Sequence, residues 1–478
     1  MHRIVVLGGG PGGYSAAFAA AESGAQVTLV EQRRLGGTCL NVGCIPTKTI
    51  LRTARLVGDV ARADDFGLEP MAGASLNVGA LRARKEGVVD DLVGQVESTA
   101  RRLKVEVLTG VGRLTSANRV EVDAVVDGQA TKIGVDADAV IIATGSVPVV
   151  LPFLNHDLSN VWTSDDAVAL TEIPGEIIIV GGGVIGVEFA CAYAAFGSSV
   201  TVIELGDSLL PGNDKRVTRA LKGALEEQGI AVRLETSVTG VEPLAANPSR
   251  LLVTLSNGDV IETDVLMSAV GRAPNTAGFG FEDVGVEYDR RAIKVNEYFA
   301  TSVTGVYAIG DAIGGMMLAH AAEVEGEAAA LNALAILDGR TPTHTVDNRL
   351  IPGCVYSFPE VAVVGRTPDG AKADGHDVVS AIAKFTGNGK ALAEGEADGF
   401  VQLVVEREGG AILGAQMVGP HVVELIHEVS GLMAIGGSVL DLAGHHGAVF
   451  AHPTVSEVVK VAARIAAAKV VPAQDAAH

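Results

Sequence analysis

Two glycine-rich turns, each set between an apolar strand-like run and a small-residue helix, restrict this chain more than any other feature. The first turn, with Gly8, Gly10 and Gly13, leads into a helix and then a second strand that ends at Glu31. In such a unit the glycines let the backbone approach a pyrophosphate at the helix N-terminus, and the acid is placed to accept from a ribose hydroxyl. A glycine triplet alone could be an ordinary turn, but the whole unit predicts a dinucleotide site.

The same unit recurs later in the chain. Glycines at Gly181, Gly183 and Gly186 open a second helix, and the strand after it closes at Glu204. Two units imply two dinucleotides, and FAD with a nicotinamide is the usual chemical reason for both. A carboxylate at this strand end repels a 2′-phosphate, and no arginine follows before Arg216, so the expected nicotinamide is NAD.

A pair of close cysteines, Cys39 and Cys44, lies in the stretch GGTCLNVGCIPTK at residues 36–48. The chain starts directly with a strand-like run, so we expect a cytoplasmic protein, in which such a pair is redox-active or metal-binding. In a regular helix, residues five positions apart are separated by a rise of roughly 7.5 Å, which exceeds the Cα–Cα distances found in disulfides. Gly43 and Pro46 therefore predict a distorted turn.

A redox disulfide is favoured over zinc, because a zinc site needs two further Cys or His ligands at similar spacing. Cys191 and Cys354 lie alone in apolar stretches and are interpreted as small core residues. His421, Glu424 and His427, read as one helix face, and the pair 445–446 lack a third convergent ligand. No metal site is expected.

Size and charge exclude other classes of function. A chain of 478 residues predicts two to four domains. A formal net charge of −21 argues against nucleic acid and against an anionic membrane as partners. No apolar run reaches the ~18 residues that a membrane-spanning helix needs.

The cysteine stretch resembles the active-site signature of the flavoprotein disulfide reductases, in particular their dihydrolipoyl dehydrogenase branch. The resemblance runs over residues 3–468 and keeps the family's order of motifs. It implies FAD and NAD as cofactors, and it makes Lys48 the partner of Glu188 beside the flavin and nicotinamide. It further implies cofactor contacts in the segments AVIIATGSVP, SAVGRAPN, TGVYAIGDAIGG and MMLAHAAEVEG, at Thr144, Gly145, Gly271, Arg272, Gly310, Asp311, Met317, Leu318, Ala319 and His320.

The expected fold is α/β, with two Rossmann-like dinucleotide-binding domains and an α+β C-terminal dimerisation domain. The boundaries expected from the motifs are 1–147 and 271–345 for the FAD-binding domain, 148–270 for the NAD-binding domain, 346–468 for the dimerisation domain and 469–478 for a tail.

His452 and Glu457, in AHPTVSEVV, admit two interpretations. Thr454 with Glu457 forms the pattern of a capping box, which would only start a helix. In the resembling family these positions are the general acid/base histidine and the glutamate that orients it. A base beside a thiol with an orienting third group is what thiol chemistry needs, so we favour catalysis. Phe450 stands where many relatives have histidine and is expected to alter polarity at the substrate mouth.

The resemblance implies a homodimeric oxidoreductase that oxidises the dihydrolipoamide of a lipoyl-bearing protein in a 2-oxo acid dehydrogenase or glycine cleavage system. Cys39 would take the substrate's attack, and Cys44 would lie nearer the flavin. Two alternatives stay open at this point. One is a related reductase of quinones or other disulfides that uses NADH. The other is a flavin-bearing interaction subunit whose disulfide is structural or sensing.

Overall fold

The computed structural model describes residues 1–69, 75–126, 128–443 and 447–471. The elements of the first part are β1 (Arg3–Leu7), α1 (Pro11–Glu22), β2 (Gln26–Glu31), α2 (Gly37–Asn41), α3 (Cys44–Ala61), α4 (Val78–Arg102), β3 (Glu106–Ser116), β4 (Arg119–Val126), β5 (Gln129–Asp136), β6 (Ala139–Ile142) and β7 (Ser146–Pro148). The middle part contains β8 (Val161–Trp162), α5 (Ser164–Ala169), β9 (Glu176–Val180), α6 (Val184–Ala195), β10 (Ser199–Ile203), α7 (Lys215–Glu227), β11 (Ala231–Arg233), β12 (Val238–Leu244), β13 (Asn247–Leu255), β14 (Val260–Thr263), β15 (Val265–Ser268), β16 (Arg272–Pro274), β17 (Tyr288–Asp289), β18 (Ala292–Ile293), β19 (Val306–Ala308) and α8 (Ala319–Leu337). The last part contains β20 (Gly353–Val355), β21 (Glu360–Gly365), α9 (Pro368–Ala373), β22 (Val378–Lys384), α10 (Gly389–Ala393), β23 (Phe400–Glu406), β24 (Ile412–Gly419), α11 (Val422–Ala434), α12 (Val439–Ala443) and α13 (Glu457–Ala467).

The first sheet has the strand order β19-β6-β1-β2-β3-β4-β5. β19, β6, β1, β2 and β3 pair in parallel, while β4 and β5 continue as an antiparallel meander. Apolar strands such as β1 are buried on both faces, as parallel strands covered by helices require. Because β19 pairs with β6, the chain returns to this sheet after the second glycine unit.

Helices α1 and α8 pack on the first sheet, and they contact each other very closely. A Cβ atom placed on Gly326 would lie 2.3 Å from the carbonyl oxygen of Gly12, so only glycine allows this approach. The alanine-rich faces of both helices are buried around the contact. The contact fixes the start of α8 beside the first glycine turn.

The second sheet, β11-β10-β9-β15-β8, is parallel throughout and carries the second glycine unit. Its core includes Ile177, Ile179, Val200 and Met267. A separate antiparallel sheet of β12, β13 and β14 flanks it.

The C-terminal part forms an antiparallel sheet in the order β20-β21-β24-β23-β22, with α11 and α13 on it. The two sheets that carry the glycine units, together with the C-terminal antiparallel sheet, confirm the predicted fold class. The domain boundaries at 147, 270 and 345 stay a prediction. Among the described residues, no helix combines the length and the apolar character needed to cross a membrane.

Candidate functional site: a thiol pair between two glycine turns

A cavity of about 1680 Å³ connects the two glycine turns with the cysteine pair. The predicted cofactor positions line this cavity, with the exception of Gly186. Gly186 lies beneath the second turn, where a Cβ atom would be 2.0 Å from the carbonyl oxygen of Gly181. The described lining residues do not include His452 or Glu457.

Each glycine turn is held by the acid at the end of its second strand. Glu31 accepts a hydrogen bond from the backbone N–H of Gly9 at 2.7 Å, and Glu204 accepts one from Gly182 at 2.6 Å. The sequence did not indicate this second use of the acids. A carboxylate has about four lone-pair sites, so both acids keep the capacity to accept from a ribose hydroxyl.

The residues present fit two dinucleotides. A Cβ atom on Gly183, at the start of α6, would meet only open space, as a site for backbone–phosphate contact requires. Thr144 lines the same cavity, and its hydroxyl oxygen is buried without a partner among the described residues. A buried polar atom of this kind needs a partner, and a polar cofactor would supply one.

The two cysteines lie on either side of a break between helices. α2 ends at Asn41 and α3 begins at Cys44, and a Cβ atom on Gly43 would lie 2.9 Å from the carbonyl oxygen of Thr38. The predicted distorted turn is therefore confirmed. Both cysteines are thiols here, and each influences the pKa of the other.

The surroundings of the two thiols differ in charge. The neighbouring Cys39 thiol, followed by the Lys48 ammonium, lowers the pKa of Cys44 against the opposing effect of burial. Cys44 is also the first residue of α3, where the helix dipole favours a thiolate. The neighbouring Cys44 sulfur, burial and the carboxylate of Glu323 all raise the pKa of Cys39.

The expected contact between Lys48 and Glu188 is present. The Lys48 ammonium donates to both carboxylate oxygens of Glu188, at 2.9 and 2.8 Å. The Glu188 side chain is only 3% exposed, and its carboxylate also accepts from the backbone N–H of Tyr356 at 3.0 Å. The ammonium lies 4.7 Å from the centroid of the Tyr356 ring. The C-terminal part thus contributes a tyrosine that the sequence did not reveal.

Three turns that converge on the cavity share a polar network. Asp311 accepts from the hydroxyl of Ser146 at 2.5 Å, and Ser146 accepts from Arg272 at 2.8 Å. The backbone N–H of Gly310 donates to Glu325 at 2.7 Å, and burial raises the pKa of that carboxyl. Ser146 and Glu325 were not predicted, because glycine-centred patterns do not identify the side chains that support a turn.

A second unpredicted pair lies beside the thiols. The hydroxyl of Tyr14, on α1, donates to Glu323, on α8, at 3.0 Å. Glu323 lines the cavity together with Cys39. Tyr14 and Glu323 lie 309 residues apart in sequence, so no local pattern could have indicated their contact.

His452 and Glu457 form the expected dyad. Nδ1 of His452 lies 3.0 Å from Oε2 of Glu457. An ionised carboxylate only accepts, so Nδ1 donates and Nε2 is left to take up a proton. The backbone N–H of Thr454 and the His452 ring hold the pKa of the Glu457 carboxyl below its usual range. The His452 side chain is 79% exposed within one chain.

The capping-box expectation is only half correct. Glu457 accepts from the backbone N–H of Thr454 at 3.3 Å, but the Thr454 hydroxyl donates to the carbonyl of Ala451. Helix α13 begins at Glu457 itself. Phe450 packs against the C-terminal core, with the Lys460 ammonium 5.9 Å from the centroid of its ring.

Comparison with known proteins identifies the family. The family described as pyridine nucleotide-disulphide oxidoreductase matches residues 2–326, and its dimerisation domain matches residues 351–463. The chain belongs to the pyridine nucleotide-disulphide oxidoreductases.

Similar members of this family include bacterial and plant proteins. The chain is 38% identical over 457 residues to a dihydrolipoyl dehydrogenase of Bacillus subtilis (strain 168), which covers 95% of this chain and 96% of that protein. It is 37% identical to the mitochondrial dihydrolipoyl dehydrogenase of Pisum sativum, over 96% of this chain and 90% of that protein. The crystal structure of LpdA from Mycobacterium tuberculosis superposes with a TM-score of 0.87 at 28% identity, covering 97% of this chain and 99% of that chain.

Some of the remaining cysteines and histidines of this oxidoreductase do not lie where the sequence predicted. Cys191 is a buried core residue as predicted, but Cys354 lines the cavity. His421 precedes α11 rather than lying on it, and its Nε2 lies 3.2 Å from Glu394. Within the described ranges no three His, Cys, Asp or Glu side chains are grouped to hold a metal. The pair 445–446 and most of the tail lie outside the described residues.

Lys48→Met should raise the pKa of Cys44 relative to the unaltered protein, because the ammonium that stabilises the thiolate is removed. The rate of alkylation of Cys44 in the reduced protein, followed against pH, measures this pKa. Arg52→Met is the matched control, since Arg52 is an exposed cation one turn further along α3. An unchanged Cys44 profile in Lys48→Met, or an equal shift in Arg52→Met, would contradict this assignment.

Proposed function

We propose that the protein is an NAD-dependent dihydrolipoyl dehydrogenase that oxidises protein-bound dihydrolipoamide to lipoamide. The observation that carries the proposal is the thiol pair Cys39–Cys44, which lies in one cavity with both glycine turns and beside the Lys48–Glu188 ion pair. Relatives that cover nearly the whole chain at 37–38% identity are named for this activity.

The thiol chemistry follows from the charges around the pair. In the oxidised enzyme, a thiolate of the substrate attacks Sγ of Cys39, and Cys44 leaves. A leaving thiol of lower pKa leaves faster, and the Lys48 ammonium, which lowers the pKa of Cys44, makes that thiol the better leaving group of the two. The second substrate thiol then displaces Cys39, which leaves both cysteines reduced.

Each cofactor has its own set of residues. We assign FAD to the turn from Gly8 to Gly13 with Glu31, Thr144 and Asp311, and NAD to the turn from Gly181 to Gly186 with Glu204. When bound, FAD supplies a two-electron acceptor, and its reduced form supplies the hydride for NAD⁺. Lys48 and Glu188 lie between the two turns, where the ammonium stabilises the negative charge that the thiol pair acquires.

The proton acceptor is assigned to a second copy of the chain. Within one chain His452 is exposed and does not line the cavity of Cys39. The domain that carries it is a dimerisation domain. Val449 and Ile435, large apolar side chains of the same domain, are also exposed, as expected of a surface that a partner covers. We propose a homodimer in which His452 of each chain serves the cysteines of the other.

The reduced substrate would reach this site as the lipoyl group of a partner protein. A lipoyl group on a long side chain can enter a cavity while its carrier stays outside. The carrier that we propose is the lipoyl-bearing protein of a 2-oxo acid dehydrogenase or glycine cleavage system. This partner is part of the proposal.

The FAD-loaded protein should reduce NAD⁺ in the presence of dihydrolipoamide, because the cavity holds a thiol pair and two dinucleotide turns. Steady-state absorbance of NADH measures the rate. Cys39→Ser should lower kcat at least about a hundredfold, as expected for the loss of a nucleophile. Cys191→Ala, which alters a buried core cysteine, should retain activity. A FAD-loaded protein without any thiol-dependent NAD⁺ reduction would refute the proposed activity.

Leu205→Arg should narrow the preference for NAD⁺ over NADP⁺. Leu205 is exposed, lines the cavity and follows Glu204, so an arginine there could pair with a 2′-phosphate. The change leaves intact the hydrogen bond from Gly182 to Glu204, which a substitution of Glu204 would remove. The ratio of kcat/KM for the two nucleotides is the measurement, and Leu205→Gln is the uncharged control. Equal use of both nucleotides by the unaltered enzyme would show that Glu204 does not discriminate.

Mixing inactive Cys44→Ser with inactive His452→Ala should restore about a quarter of wild-type activity after full subunit exchange, because half of the dimers are then mixed and each has one intact site. Activity before and after exchange is the measurement. Cys44→Ser mixed with the Cys44→Ser/His452→Ala double variant is the control and should stay inactive. Verified exchange without recovery would place the dyad and the cysteines in the same chain.

A further inference from the structure

The segment from Ala451 to Glu457, which we call the dyad loop, is shaped by hydrogen bonds between its own residues. Glu457 accepts from the backbone N–H of Thr454 at 3.3 Å and lies 3.0 Å from Nδ1 of His452. The Thr454 hydroxyl donates to the carbonyl of Ala451 at 2.8 Å. These bonds set the internal shape of the loop, and contacts with other elements must set its place in the domain.

A buried asparagine on another element contacts the dyad loop. Asn388, which is 5% exposed, precedes helix α10 and donates from its side-chain amide to the carbonyl of Thr454 at 2.9 Å. Its Oδ1 accepts from the backbone N–H of Ala391 at 2.9 Å, so the same side chain caps α10. An amide oxygen only accepts and an amide NH₂ only donates, so this orientation of the side chain satisfies both contacts and the reverse satisfies neither.

Helix α10 is fixed in turn against α3. Arg55 of α3 forms an ion pair with Glu396, which lies just beyond α10. Nη1 of Arg62, also on α3, lies 3.5 Å from the carbonyl oxygen of Gly395. Asn388 therefore joins the dyad loop to an element that has its own contacts with the FAD-binding part of the chain.

The backbone of Thr454 is held on both sides. Its N–H is bound by Glu457, and its carbonyl is bound by Asn388. The next residue, Val455, is buried in the apolar core of the C-terminal part. Apolar packing has no directional preference, whereas a hydrogen bond does, so the amide of Asn388 restricts the direction in which the Thr454 carbonyl points.

We propose that Asn388 is a positioning residue for the dyad. It holds the backbone of Thr454 so that the N–H of that residue meets Glu457, and Glu457 in turn aligns His452. The inference rests on the proposed function, because it concerns the proton acceptor of that reaction. A misplacement of about 1 Å can cost a reaction about a hundredfold in rate, so a contact outside the cavity can control the base.

Two substitutions separate the contact with Thr454 from the cap of α10. Asn388→Asp keeps the shape of the side chain and the acceptor for Ala391, but it replaces the donating NH₂ by an oxygen that repels the Thr454 carbonyl. Asn388→Ser also caps a helix, carries no charge and is too short to reach both partners. Asn77→Ala is the matched control, because Asn77 caps α4 in the same way and accepts from the backbone N–H of Ala80 at 2.9 Å.

The first measurement is hydrogen exchange of the Thr454 amide in the FAD-loaded protein without substrate, read by fragmentation mass spectrometry. Exchange should become about three- to tenfold faster in Asn388→Asp and Asn388→Ser, because the bond to Glu457 loses its support. Asn77→Ala should exchange like the unaltered protein. Unchanged exchange in both variants of Asn388 would overturn the inference.

The second measurement follows the absorbance of bound FAD and compares two reductants. Reduction by dihydrolipoamide needs the base and should slow about tenfold or more in both variants of Asn388. Reduction by NADH involves no substrate thiol and should keep its rate. Equal losses with both reductants would show a general disturbance of the fold and would also overturn the inference.

The proposed function and the role of Asn388 fail separately. An unaltered FAD-loaded protein that oxidises no dihydrolipoamide refutes the dehydrogenase. An active enzyme whose two Asn388 variants keep the full rate with dihydrolipoamide refutes only the positioning role. The exchange measurement needs neither substrate nor NAD⁺, so it tests the contact with Thr454 in either case.

Discussion

The ion pair between Lys48 and Glu188 joins the three parts of this molecule. Lys48 follows the cysteines on α3, Glu188 lies on the helix of the second glycine unit, and Tyr356 comes from the C-terminal part. The Glu188 side chain is 3% exposed, so removing Lys48 would leave a buried carboxylate without its cation, which is destabilising. The net stability that such a pair adds is small. Its value lies in specifying a single arrangement, in which the ammonium stays close to Cys44.

The two dinucleotide units show which features of the site sequence patterns can predict. The order of strand, glycine turn, helix, strand and acid predicted both sites, because steric and phosphate-binding requirements act within about thirty consecutive residues. The pattern missed the hydrogen bonds from the glycine turns to Glu31 and Glu204. These bonds depend on the distance between neighbouring parallel strands, which appears only once the sheet is assembled.

Long-range contacts explain the rest of what the sequence did not reveal. Glu323 carries no motif of its own, and it meets Tyr14 only because α8 packs on α1 with a glycine at the contact. Tyr356 is placed by the start of the C-terminal sheet. The cysteine pair was predictable because its own turn contains the required distortion at Gly43. The cysteine pair and the ion pair of Lys48 with Glu188 were therefore predicted, whereas Glu323 and Tyr356 were not.

The charges around the thiols also bear on the position of the proposed proton acceptor. The ammonium and the N-terminus of α3 favour negative charge on Cys44, so that sulfur needs no proton carrier. In the proposed mechanism Cys39 is the sulfur that the substrate attacks, so the base is needed on its side of the pair. The proposed base, His452, does not line the cavity that contains the pair within one chain. An exposed His452, aligned by Glu457 on a dimerisation domain, meets that requirement when a second chain presents it.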